Sequence, residues 1–294
     1  MKKLLFICLL GIVADCVAQK LPVLYVDFPG KFQRDMDYVA GTMKLVDTDG
    51  SAVELPAQFK TRGATAKQYM SKPSFNMKLR EADGTEIDSA LLDIRSCSSW
   101  ILDAMAIDRI NMRNRTVFDI WTAYSPLPYN TDFGSRNATK GRFVEVYINQ
   151  NYTGIYCLTD RINRKLLELK KPQINEDGSV TIRGVQFKHG TNSYGDQNTP
   201  GFFVDSTVCV VRYHDAWELS EPEDYPGMAA WQPLLDFYDN IGNYEYIKEL
   251  FYIENIVDYS LLVMAMSIAD NWGNKNQIFS IRNVQADGNK TRFI

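Results

Sequence analysis

Phe143-Val144-Glu145-Val146-Tyr147-Ile148 alternates side chains on a period of two, Asn149-Gln150-Asn151 breaks the run, and Thr153-Gly154-Ile155-Tyr156-Cys157-Leu158 returns it. Alternation over six residues, a turn of amide-bearing residues and a second short run spell a β-hairpin. Outward from it, the segment from about Leu21 to Leu91 reads as further strands. Leu24–Phe28 alternates weakly, Thr42–Val46 and Ala52–Leu55 flank the turn Asp47-Thr48-Asp49-Gly50, and Ser74–Leu79 precedes the turn Ala82-Asp83-Gly84. The Asp47–Gly50 turn lacks the third acidic position and the distal Glu of a calcium loop, so it reads as a hairpin turn.

Between these strands and the hairpin, Ile110, Val117, Ile120, Trp121 and Tyr124 recur at helical spacing, and either Arg113 or Asn114 shares their face. Residues 168–200, rich in Lys, Asn, Asp and Gly, read as a loop-bearing insertion with a short strand at Thr181–Phe187. Beyond them, Met228–Tyr238 is amphipathic. Glu254–Ala269 places Ile256, Tyr259, Val263 and Met266 on one face, with more apolar residues around it, which predicts a deeply buried helix. Strands follow at Gln277–Val284 and Lys290–Ile294.

Met1-Lys2-Lys3, the apolar run Leu4–Ala14 and the small residues before Gln19 have the layout of a secretory signal peptide cleaved near Ala18. The run is too short for a permanent span, and no other segment reaches that length, so the expectation is export (periplasmic, cell-surface or secreted) with no membrane span. Lipid attachment at Cys16 is the other reading, disfavoured by Asp15 beside it. Removing Lys2, Lys3 and Asp15 from 32 basic and 36 acidic residues leaves 30 and 35, a net charge of −5. Such a surface has no general attraction to nucleic acid. Residues 19–294 are enough for one large domain or two lobes. Cys97, Cys157 and Cys209 imply no disulfide framework. With only His189 and His214, histidine-built zinc sites and Ser/His/Asp chemistry are disfavoured.

Two segments suit phosphoryl transfer. The first is the loop Asp270-Asn271-Trp272-Gly273-Asn274-Lys275-Asn276 after the long helix. There an aspartate can orient a hydroxyl, and an amide six residues on can ligate magnesium. The other reading makes Asp270 a turn cap and the asparagines loop formers. The second is Lys60-Thr61-Arg62-Gly63-Ala64-Thr65, leading to Lys72-Pro73 and Lys78. Strand cations there could hold phosphate oxygens, and Gly63 would let backbone approach them; the alternative is a solvated edge.

Taken in order, four blocks resemble the CotH-like (spore-coat protein H) atypical protein kinases. They are Arg62-Gly63 with Lys72-Pro73 and Phe75–Leu79; Trp100-Ile101-Leu102, Asp108 and Arg113-Asn114; the hairpin leading into Leu158-Thr159-Asp160; and Asp258-Tyr259 with Asp270–Asn276. The resemblance implies an α+β, two-lobed kinase-like fold, with a strand-rich N-terminal lobe and a helical C-terminal lobe. It also implies ATP with Mg2+ (or Mn2+) as cofactors and transfer of phosphate to serine of a secreted or surface protein. Carried over by position, Asp270 matches the catalytic aspartate, Asn276 the asparagine near the metal, Lys78 the strand lysine facing ATP phosphates, and Arg62 with Gly63 the loop before it. Lys78 and Asp270 are then expected to line one cleft. Asp160 stands where members often carry glutamate, and is the fallback second metal ligand. Family members continue into a further metal-binding aspartate, so the expectation is a chain incomplete at its C-terminus and inactive as given. The alternative from a different class is a non-catalytic surface or scaffold module on the same fold.

Overall fold

The computed structural model describes residues 20–31, 33, 35–63, 71–125, 138–189, 202–205, 210–214, 217–222, 228–268, 278–282 and 290–293. The chain divides into two compact units, Met1–Asn111 with Gly141–Asp160, and Met112–Lys140 with Arg161–Ile294.

The first unit is a closed barrel of seven strands: β1 (Val23–Asp27), β2 (Val39–Val46), β3 (Ala52–Arg62), β4 (Ser74–Leu79), β5 (Ser99–Asp103), β6 (Gly141–Ile148) and β7 (Asn151–Asp160). Their order around the barrel is β1-β2-β3-β4-β5-β7-β6. Every neighbour is antiparallel except β1 and β6, whose parallel pairing of Val23–Val26 with Glu145–Ile148 closes the ring. The alternation of each strand dictates what fills it. Leu24, Met43, Phe59, Met77, Trp100, Val146 and Leu158 are all buried, and their neighbours in sequence face outward, as a period of two requires. At Gly41 there is no room for a side chain: a Cβ there would stand 2.2 Å from the Asp27 carbonyl oxygen. In the β6–β7 hairpin the register shifts beside Tyr147, and Gly154 takes a φ of +96° that side chains resist.

The second unit is also organised on strands. Its six-stranded sheet runs β11 (Phe202–Asp205), β12 (Val210–His214), β13 (Trp217–Glu221), β10 (Gly184–His189), β14 (Ile278–Arg282), β15 (Arg292–Phe293), and β8 (Gln173–Ile174) pairs separately with β9 (Val180–Thr181). Four short helices accompany the sheet among the described residues: α1 (Arg113–Tyr124), α2 (Gln232–Asp239), α3 (Tyr244–Leu250) and α4 (Ile253–Ala265). Val185, Phe187, Leu219 and Trp231 pack into one core, while Trp121, Tyr259, Leu262 and Val263 form another.

These observations correct the expected architecture. A strand-rich lobe followed by a helical lobe is not what the chain builds. The strands of residues 21–91 join the central hairpin in a closed barrel, and the region expected to be helical is dominated by a six-stranded sheet with helices of 7 to 13 residues. The helix expected to be deeply buried is buried along one face only: Asn255, Tyr259, Leu262 and Val263 turn inward, whereas Val257, Leu261 and Met264 are exposed. On α1, Trp121 is buried, but Ile120 and Tyr124 of the predicted apolar face are exposed, and Arg115 takes a buried place instead, paired with Asp119 at 2.7 Å. The terminal strand is better held than its sequence suggests. Thr291 exchanges backbone hydrogen bonds with Leu250 and Tyr252, and the Asn255 amide both accepts from the Phe293 nitrogen (2.6 Å) and donates to its oxygen (3.1 Å).

Candidate phosphate-binding face

The predicted residues Arg62, Gly63 and Lys78 lie together on the barrel. Phe75, Met77 and Leu79 of β4 point into its core, which sends Ser74, Asn76 and Lys78 to the outer face; on β3, Gln58, Lys60 and Arg62 emerge on the same side. Registry pairs Lys78 with Gln58, Asn76 with Lys60 and Ser74 with Arg62. Lys60 and Lys78 are therefore diagonal neighbours, and Arg62 stands further along the same ribbon, about 13 Å from the level of Lys78 at a strand rise of ~3.3 Å per residue. Gly63 follows β3, exposed, with a φ of 105°.

The segment before β2 continues alongside β3. The Met36 nitrogen donates to the Thr61 hydroxyl at 2.9 Å, and that hydroxyl and the Thr61 nitrogen both donate to the Met36 oxygen. So anchored, Asp37 meets Lys60 at 2.9 Å. That hydrogen bond and the Tyr38 amide hold the Asp37 carboxyl below the usual carboxylate range, and the same contact raises the Lys60 ammonium above its ordinary value. The Tyr38 ring lies 4.8 Å from the Lys78 ammonium and 5.6 Å from that of Lys60, within cation–π range of both.

Lys72 is a structural cation. Its ammonium donates to the carbonyls of Ile155 and Ala104 and sits 4.2 Å over the Tyr156 ring. Burial draws its pKa down, and the charge of Asp103 partly restores it. One turn of chain later, the Ser74 hydroxyl bridges the Asp103 carboxylate (3.1 Å) and the Ala104 amide (2.9 Å), tying β4 to the end of β5.

Asp160 does not fit the role of a metal ligand. It is fully buried at the end of β7, and its carboxylate accepts the Arg95 Nε at 2.7 Å, so a cation there would have to displace a guanidinium. Among the described residues no group of three or more His, Cys, Asp or Glu could hold a metal ion. Asp270 and Asn276 lie outside the described residues, and with them the expected cleft to Lys78. Of the two acids near the first helix, Asp119 is engaged by Arg115, and the Asp108 carboxylate accepts the Ile110 amide at 3.0 Å. The Arg95–Asp160 pair, the Lys72 cradle and Tyr38 were missed from sequence. Their only local signal was an acid ending an otherwise apolar strand.

Lys60, Lys78 and Arg62 thus share the outer face of β3 and β4, with the positive-φ Gly63 just beyond β3. The family described as CotH kinase protein matches residues 59–293, and the chain belongs to that family. No curated protein matches the chain. No helix among the described residues is long and apolar enough to cross a membrane.

Proposed function

We propose that this protein is an exported ATP-dependent protein kinase that transfers phosphate to serine of secreted or surface proteins. The family match over residues 59–293 carries the reading, and the cationic outer face of β3 and β4 supports it. ATP with Mg2+ supplies the transferable phosphoryl group and neutralises its charge. Lys78 and Arg62 hold phosphate oxygens, and Gly63, lacking a side chain, leaves room for close backbone approach. Asp270 accepts the proton of the attacking serine hydroxyl, and Asn276 offers an amide oxygen to the metal. Export rests on the Met1–Ala18 leader pattern.

The test is transfer of label from γ-labelled ATP, with magnesium, by the full-length protein to serine of an exported protein. Asp270→Asn is expected to abolish transfer without lowering the melting temperature, and Lys78→Met to weaken nucleotide binding as well as rate. Undiminished transfer by Asp270→Asn overturns the assignment.

A further inference from the structure

We propose that Tyr38 is a positioning residue for Lys78, its ring fixing the lysine ammonium over the outer face of β3 and β4 where the phosphate is received. The inference rests on the phosphate-binding reading of Lys78 and adds a residue outside the family match, which begins at 59. Three observations carry it. The Lys78 ammonium lies 4.8 Å from the Tyr38 ring centroid and that of Lys60 lies 5.6 Å from it, so one ring serves both cations. The ring is itself located: Val39 pairs with Phe59, which puts Tyr38 one step earlier on the Lys60 side of the strand, and the Met36–Thr61 hydrogen bonds pin the chain just before it. Asp37, the next residue, takes up Lys60 at 2.9 Å.

The chemistry suits the task. A ring face attracts the ammonium through its quadrupole and itself consumes no N–H donor. A long lysine side chain in water samples many rotamers, and restricting it beforehand lowers the cost of binding. Exposed to partly desolvated cation–π contacts correspond to about a 2- to 30-fold change in an equilibrium constant.

The experiment has two arms on the full chain, with Tyr38→Phe and Tyr38→Leu. In the first, lysine-labelled protein is examined by NMR. The Lys78 ε-protons, assigned through Lys78→Met, are expected to be shifted upfield by the ring current in the wild type and in Tyr38→Phe, and to return to the position of a solvated lysine in Tyr38→Leu. In the second, the Kd of Mg2+ with a non-hydrolysable ATP analogue is measured. Tyr38→Phe should bind within about 2-fold of wild type and Tyr38→Leu roughly 3- to 10-fold more weakly, with unchanged melting temperatures. Equal affinity in Tyr38→Leu and wild type, or an unshifted Lys78 in the wild type, overturns the proposal. Absence of nucleotide binding by the wild type overturns instead the reading beneath it, and the first arm tells the two failures apart.

Discussion

Replacing Arg95 with Met leaves the Asp160 carboxylate fully buried without the guanidinium 2.7 Å away. Removing one partner of a buried ion pair costs about 3–5 kcal/mol, because the remaining charge keeps its desolvation penalty and loses its compensation. Arg95 retains 15% exposure while Asp160 retains none, and the partial solvation of the arginine places the expectation at the lower end, about 3 kcal/mol. At roughly 2–4 °C per kcal/mol for a chain of this size class, the melting temperature should fall by about 6–12 °C. Urea denaturation followed by tryptophan fluorescence suits the question, since Trp100 is the cross-strand partner of Asp160. The double variant Arg95→Met, Asp160→Leu exchanges the pair for apolar groups and should recover most of the loss, because a buried pair is worth little against a packed hydrophobic replacement. A loss below about 1 kcal/mol in Arg95→Met, or a double variant as unstable as the single one, refutes the reasoning.

Other positions make independent claims. Gly41→Ala drives a Cβ to 2.2 Å from the Asp27 carbonyl; a cost of about 1–3 kcal/mol is expected from urea titration, and a neutral result would mean that β1 and β2 are less closely apposed. Asn255→Ala removes both hydrogen bonds to Phe293 and should speed amide exchange in residues 291–293 while costing about 1–3 kcal/mol, whereas unchanged exchange would show that the helix does not hold that strand. Burial pushes the Cys97 thiol up from 9.0 to about 11, so its contribution is fully present below pH 9.0, where both states keep the thiol protonated. It is lost as pH rises toward 11, because the unfolded thiol ionises first. Cys97→Ala should flatten the fall in stability over that window, and native Cys97 should resist a thiol reagent at pH 8 until urea is added.

Much of the barrel was legible locally. Ser74–Leu79 is a strand over those very residues, and the central hairpin closes around Asn149 and Gln150, both at positive φ. Period two is a property of a few neighbouring residues, so it survives any tertiary arrangement. Closure by β1 against β6 was not legible, because a parallel pairing more than a hundred residues apart leaves no mark in either strand alone. The helices expected at Met228–Tyr238 and Glu254–Ala269 are present as α2 and α4, and the strand expected at Thr181–Phe187 is β10; what was not legible is the six-stranded sheet of that unit, because β10 finds its partners β13 and β14 further along the chain. Exposure of Val257, Leu261 and Met264 shows the same limit: the sequence announces that α4 carries apolar residues on more than one side, not which side its own unit covers. Within the site, Lys78 and Arg62 were singled out as cations of a strand and its preceding turn, and again by the resemblance, and they share one face, while Tyr38 offered no motif at all.

The most direct test of the account is thermal melting of the full-length protein with and without saturating Mg2+ and ATP, for the wild type and Lys78→Met. A ligand at about a hundred times its dissociation constant stabilises the folded state by ~2.7 kcal/mol, so the account predicts a clear rise in melting temperature for the wild type that Lys78→Met largely loses at the same concentration. No rise in the wild type at millimolar nucleotide, or an equal rise in both proteins, would contradict it.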